Sequence, residues 1–260
     1  MAANESSSEL ITLTFGDMAE NHKGMEMIGE MVKEGDGFQY DDLLQIQSHI
    51  TEIGAECTIY QLSNEEQSDA YLLHIKDGVN ALLEGSGYNA KMLFEEQKAL
   101  QYDKQAFMYG RVVNKHARWN LCFDEKSREP DYQAGKGRII GFNEVPIMSY
   151  LKKQFELYFG EKAKNLKVES NYYYDTRKCG IGFHGDSERR KVIGVRIGNA
   201  SMPIYYQWYF KGEKVGDLYQ IPLDAGDIYV MSEKTVGTDW KKKNIFTLRH
   251  ATGADKFITP

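Results

Sequence analysis

Residues 168–186 read VESNYYYDTRKCGIGFHGD, and the fold turns on this stretch. Val168–Tyr174 and Ile181–Asp186 both have strand character, and the polar run Asp175-Thr176-Arg177-Lys178 forms a turn between them. Side chains alternate along a strand, so Asn171 and Tyr173 share one face of the first, and His184 and Asp186 share one face of the second. Buried polar groups need partners. Either these faces are solvent-exposed and their polar residues ordinary, or they surround a metal and an organic acid inside a barrel. A His-x-Asp pair completed by a distant histidine makes a two-His-one-carboxylate set. Such a set leaves coordination positions open and is diagnostic of non-haem Fe(II) oxygenases.

Working outward, short strands are expected around 191–198, 203–210, 218–221, 227–231 and 245–251. Ile147–Phe159 ahead of them reads as an amphipathic helix opened by Pro146. One helix followed by many short strands points to a β-sandwich or barrel. Toward the N-terminus, Leu10–Phe15, Cys57–Leu62 and Tyr71–Ile75 read as strands. Asp41–Ile53, Gly78–Leu83 and Lys91–Leu100 read as helices, with a looser helical pattern over Met25–Met31. The alternation predicts a small α/β unit over 1–88, closed by Glu84-Gly85-Ser86-Gly87.

Composition bounds the chemistry. With 260 residues, 42% hydrophobic and 12% aromatic, the chain can bury a sizeable core. Its net charge of −6 gives no global field for nucleic acid, so such a partner needs a local basic patch. Cys57, Cys122 and Cys179 are few, odd in number and share no zinc spacing, which suits a reducing compartment. Neither a signal core nor a run of transmembrane length is present, so a soluble intracellular protein, in cytoplasm or nucleus, is expected.

The run NYYYDTRKCGIGFHGDSERR (171–190) resembles the Asn-x-Tyr…His-x-Asp core of AlkB-like Fe(II)/2-oxoglutarate dioxygenases. VIGVRIGNASMPIYYQW (192–208) resembles that family's next two strands, and LDAGDIYVMS (223–232) its Gly-Asp strand. The resemblance covers roughly 105–260; residues 1–88 carry none. It implies an α+β protein in which a double-stranded β-helix (jelly roll) with flanking helices occupies 89–260. It also implies Fe(II) and 2-oxoglutarate as cofactors, His184 and Asp186 as iron ligands, and Asn171 and Tyr173 at the co-substrate. The implied reaction oxidises a C–H bond, hydroxylating or demethylating a modified nucleobase. Hydroxylation of a protein side chain or small molecule, and an inactive jelly-roll binding module, are the alternatives.

The C-terminal end departs from the family's pattern. Where a second histidine is expected stands Asp239-Trp240-Lys241-Lys242-Lys243, and the last histidine is His250, within Phe246–Thr252. Two registers compete. In one, His250 and Thr252 face inward and His250 is the third ligand; in the other, Arg249 faces inward to the co-substrate. One regular strand cannot satisfy both, although a bulge could relax this. The first register is preferred, because two ligands hold Fe(II) poorly. The carboxylate anchor is then sought among Lys256, Arg196 and Arg249. Tyr109, Arg111, Arg118, Trp119, Arg138 and Arg189 are expected on the substrate side, with an aromatic stacking on a flipped base. His22, His49 and His74 read as surface or structural residues.

Overall fold

The computed structural model describes residues 8–63 and 69–259. The chain begins with β1 (Leu10–Gly16), β2 (Met18–Glu20), β3 (Met27–Gly29), α1 (Tyr40–Glu52), β4 (Cys57–Gln61) and β5 (Tyr71–Ile75). Next come α2 (Gly78–Leu83), α3 (Ala90–Lys98), β6 (Gln105–Met108), β7 (Arg111–Asn114), β8 (Trp119–Asp124), β9 (Ile139–Gly141) and α4 (Pro146–Tyr158). The last part holds β10 (Lys167–Tyr173), β11 (Gly180–His184), β12 (Val192–Gly198), β13 (Ile204–Phe210), β14 (Glu213–Ile221), β15 (Ile228–Met231), α5 (Glu233–Val236) and β16 (Thr247–Gly253). The architecture is mixed, mostly sheet with few helices, and it is compatible with a β-sandwich.

Eight strands form the larger sheet, in the order β4-β5-β15-β12-β1-β10-β8-β9. Period-two alternation divides its side chains. Ile11, Leu13 and Phe15 of β1, Ile193, Val195 and Ile197 of β12, and Ile228 and Val230 of β15 join one apolar core. Four helices cover that core, with α1 contributing Leu43, Ile46 and Ile50 and α4 contributing Ile147, Leu151 and Phe155. Phe15 meets Phe155 edge to face at 5.0 Å. Each such buried side chain contributes roughly 1.5–3 kcal/mol of transfer free energy. Pro146 starts α4 without losing a needed hydrogen bond, and Glu96 of α3 accepts from the freed amides of Ile147 (2.7 Å) and Met148 (3.1 Å).

The opposite face of the large sheet looks toward the smaller one, ordered β11-β16-β13-β14. Leu72, Val192, Tyr229 and Met231 from the first meet Ile204, Tyr206, Trp208, Ile221 and Leu248 from the second. Between the sheets, beside this apolar layer, lies the candidate site.

Two sequence expectations are corrected. The boundary at residue 88 does not separate two cores: β1 lies between β10 and β12, and β4 and β5 extend the same sheet from β15. Alternation along β1 reveals a strand with two covered faces, but nothing local names partners far along the chain. The helical pattern over Met25–Met31 gives way to β3, paired with β2. Gly24 (φ +84°) and Gly29 (φ +95°) bound it with left-handed backbone that a helix does not tolerate.

Candidate metal site and cavity

The His-x-Asp element is built by a bulge. On β11, Gly180 pairs with Gly253 and Ile181 with Thr252 of β16, and then the register shifts so that His184 pairs with His250. Without the shift, continuing the count from Ile181 would bring His184 opposite Arg249. The extra residue lets Ile181 and His184 both line the cavity, although three positions apart they would face opposite ways on a regular strand. Asp186 lies just past the strand, tied by its amide to the Val236 carbonyl at 3.0 Å.

The ligand-capable atoms of His184, Asp186 and His250 all lie within 4.8 Å of one another. Asp186 Oδ1 is 3.5 Å from His184 Nε2 and 3.6 Å from His250 Nε2. His184 Nδ1 lies 2.8 Å from the Gly182 carbonyl and donates to it, which turns Nε2 toward the site. Burial alone would raise the Asp186 carboxyl. Arg189, then the two imidazoles, outweigh it and hold the carboxyl well below the usual range. Burial pushes the His250 imidazole down, the neighbouring His184 adds to this, and Asp186 opposes it. Together these effects favour a neutral His250 beside an ionised Asp186, a combination suited to binding a cation.

Asp186 is braced from behind. Arg189 Nε stands 3.6 Å from Asp186 Oδ2, while its Nη2 donates to Glu169 (2.5 Å) and Glu188 (2.8 Å). Arg189 is thus a substrate-side candidate that lines the cavity but is engaged by three carboxylates.

The cavity has a volume of about 700 Å³ and runs between the sheets from this cluster. Its wall on the large sheet comes from the alternate residues Thr12, Thr14, Glu169, Asn171, Tyr173, Arg196 and Tyr229. Arg118 also lines it: its Nε donates to Asn171 Oδ1 at 2.7 Å, Asn120 donates to the same oxygen at 2.6 Å, and Asn171 Nδ2 donates to Glu169 Oε1 at 2.9 Å. Arg196 is only 1% exposed and has no carboxylate partner among the described residues. Its Nη atoms donate to the hydroxyls of Thr12 and, at 3.1 Å, Thr252, and its Nε is buried without a partner. The Tyr229 ring centroid lies 5.8 Å from the guanidinium, and no carboxylate neutralises this buried cation among the described residues.

The strand question resolves in favour of His250 facing inward. Arg249 points the other way, its guanidinium 3.7 Å from the Tyr209 ring centroid and 5.2 Å from that of Trp240. Lys256 lies in a 3₁₀ turn with its ammonium 5.1 Å from the Phe257 ring, and it does not line the cavity. Among the three expected anchors, only Arg196 reaches the cavity.

Four substrate-side expectations are likewise corrected. Tyr109 is 89% exposed at the tip of the β6–β7 hairpin, and Arg111 is exposed beside it. Trp119 stacks on Tyr174 at 4.3 Å beneath the Lys104 ammonium. Arg138 pairs with Glu129 at 2.5 Å. None of these four lines the cavity; the segment carrying them supplies only Arg118.

Several cavity residues carry no local signal. Glu20, His22, Lys23 and the methionines Met18, Met27 and Met31 come from β2, β3, their connection and the segment just past β3. Trp240 comes from the loop after α5, where its Nε1 donates to Ser187 Oγ at 3.1 Å. Gly185 explains its position: a Cβ there would lie 2.1 Å from the Gly237 carbonyl oxygen and 2.8 Å from Trp240 Cβ. The glycine inside His-Gly-Asp is therefore the seat of the loop that carries Trp240. His74, expected to be structural, pairs with Asp227 at 2.8 Å outside the cavity.

No protein-family model matches the chain. An uncharacterized protein of Acanthamoeba polyphaga mimivirus is 47% identical to it over 257 residues, covering 96% of this chain and 98% of the viral protein. The chain belongs to that protein's family. Among the described residues, no helix is long and apolar enough to cross a membrane.

Proposed function

We propose that this protein is an Fe(II)- and 2-oxoglutarate-dependent dioxygenase of AlkB-like type, and that its two facing sheets are a double-stranded β-helix. The convergence of His184, Asp186 and His250 at the end of a cavity that also holds a carboxylate-free buried arginine carries this reading.

The residues fit both groups. Two imidazoles and a carboxylate suit Fe(II), and His184, Asp186 and His250 would hold it. The unpartnered Nε of Arg196 and the hydroxyls of Thr12 and Thr252 suit a carboxylate of 2-oxoglutarate. When bound, iron and 2-oxoglutarate supply oxidation of a C–H bond by O2, with release of succinate and CO2. The chain's own residues set the stage. Arg189 keeps Asp186 ionised and oriented. The Gly182 carbonyl fixes the His184 tautomer. Asn171, locked by Arg118 and Asn120, stiffens the wall, and the segment carrying Met18 to Met31 screens the cavity from water.

For the substrate we propose a planar modified base. Trp240 supplies the flat aromatic surface at the cavity that Trp119 and Tyr109 do not. A second reading, hydroxylation of a small molecule, draws on the cavity volume, which falls in the range of small-ligand sites. The test is Fe(II)-dependent conversion of 2-oxoglutarate to succinate by purified protein, alone and with methylated nucleosides and oligonucleotides. Turnover that is absent throughout, or unchanged in Asp186→Ala, defeats the proposal.

A further inference from the structure

His184 and His250 are oriented unequally. His184 has the Gly182 carbonyl on Nδ1, whereas His250 Nδ1 is buried with no partner within hydrogen-bond distance among the described residues. A metal-binding imidazole whose second nitrogen is unbonded has neither its tautomer nor its ring plane fixed. A second buried group shares this condition. The Tyr206 hydroxyl has no partner within hydrogen-bond distance among the described residues, although the residue is 0% exposed and the Thr235 side chain faces it. Buried tyrosines usually satisfy their hydroxyl, and an unmet group is costly.

The two residues are neighbours by construction. Tyr206 on β13 is the register partner of His250 on β16, so their side chains leave the sheet on the same face. Their rings stand 5.9 Å apart between centroids at 61°. One needs a hydrogen-bond acceptor, and the other carries a hydroxyl able to accept.

We propose that Tyr206 is the positioning residue for His250: in the metal-bound protein its hydroxyl oxygen accepts the His250 Nδ1 proton, directly or through one water, and so aims Nε2 at the metal. This rests on the metal site of the proposed function. It adds a residue that no His-x-Asp pattern contains. The Thr235 backbone also faces His250 and is the competing acceptor.

The test uses the full chain and Co(II) alone, without oxygen. Tyr206→Phe removes one oxygen and keeps the ring. It is expected to weaken Co(II) binding about 10–100-fold and to shift the visible d–d bands, with the urea midpoint little changed. Tyr206→Phe with wild-type affinity and bands overturns the proposal and assigns the role to Thr235. Should that variant fail to fold, histidine ¹⁵N–¹H spectra of the Zn(II)-loaded wild type decide. A protected Nδ1–H on His250, coupled to the Tyr206 hydroxyl, supports the assignment; a freely exchanging or absent Nδ1–H overturns it. If the wild type binds neither ion, the metal site fails, and this inference with it.

Discussion

His184 and His250 face each other as direct register partners on antiparallel strands, their ring centroids 4.5 Å apart. The pairing exists because of one extra residue between Ile181 and His184. The bulge therefore fixes which residue of Arg249-His250 meets the His-x-Asp pair.

His250→Ala is expected to weaken Fe(II) or Co(II) binding by more than the roughly 10–100-fold typical of losing an outer partner. Arg249→Ala should leave metal affinity close to wild type. Equilibrium dialysis checks both. Equal losses in the two variants would contradict the inward register.

Arg196→Leu should separate the two cofactors. Metal binding is expected to persist, while calorimetry on the Mn(II)-loaded protein should show no 2-oxoglutarate binding. The fold should tolerate the change, since a buried cation without a carboxylate partner is replaced by an apolar side chain. Undiminished 2-oxoglutarate binding would remove Arg196 as the anchor.

Arg189→Ala removes the cation shared by Glu169, Glu188 and Asp186. Leaving buried carboxylates unpaired typically costs about 3–5 kcal/mol, to be read from urea denaturation. Metal binding should fall as well, because burial then raises Asp186 without the opposing charge.

Gly185→Ala places a methyl group against the Gly237 carbonyl and Trp240 Cβ. Overpacking of this kind costs about 1–3 kcal/mol. The loop should move outward, visible as a red shift and greater quenching of Trp240 fluorescence. An unmoved Trp240 would mean that the loop is not seated on Gly185.

Glu20 gives a pH signature. Burial, partly offset by the Gly24 amide, raises its carboxyl from 4.5 to about 7. Between those values the unfolded chain has released a proton that the folded chain keeps. This contribution to stability is therefore full below pH 4.5 and is lost as pH rises through about 7. Glu20→Gln should show a shallower fall in urea midpoint across that window; an unchanged slope would refute the assignment.

Much of the site was legible in local sequence. The period-two face of Asn171 and Tyr173, the His184–Asp186 pair and the inward His250 follow from alternation plus the need for three ligands. Residues brought in by distant pairing were not legible. Thr12 and Thr14 look like ordinary strand polarity until β1 is known to lie between β10 and β12. Trp240 reads as a loop aromatic, because its place depends on the missing side chain of Gly185. Tyr109, Trp119 and Arg138 misled for the reverse reason: they lie in the segment ahead of α4 expected to face the substrate, but the β6–β7 hairpin, the Tyr174 ring and the Glu129 ion pair direct them elsewhere.

The central place of β1 has a consequence for how the chain is made. Strand β1 hydrogen-bonds to β10 and β12, which are synthesised far later. Until Tyr173 has emerged, Ile11, Leu13 and Phe15 have no sheet to join, and until Gly198 has emerged the cavity wall cannot close. Such non-local pairing slows folding and leaves an apolar strand exposed in the nascent chain, where it is open to aggregation or to a chaperone.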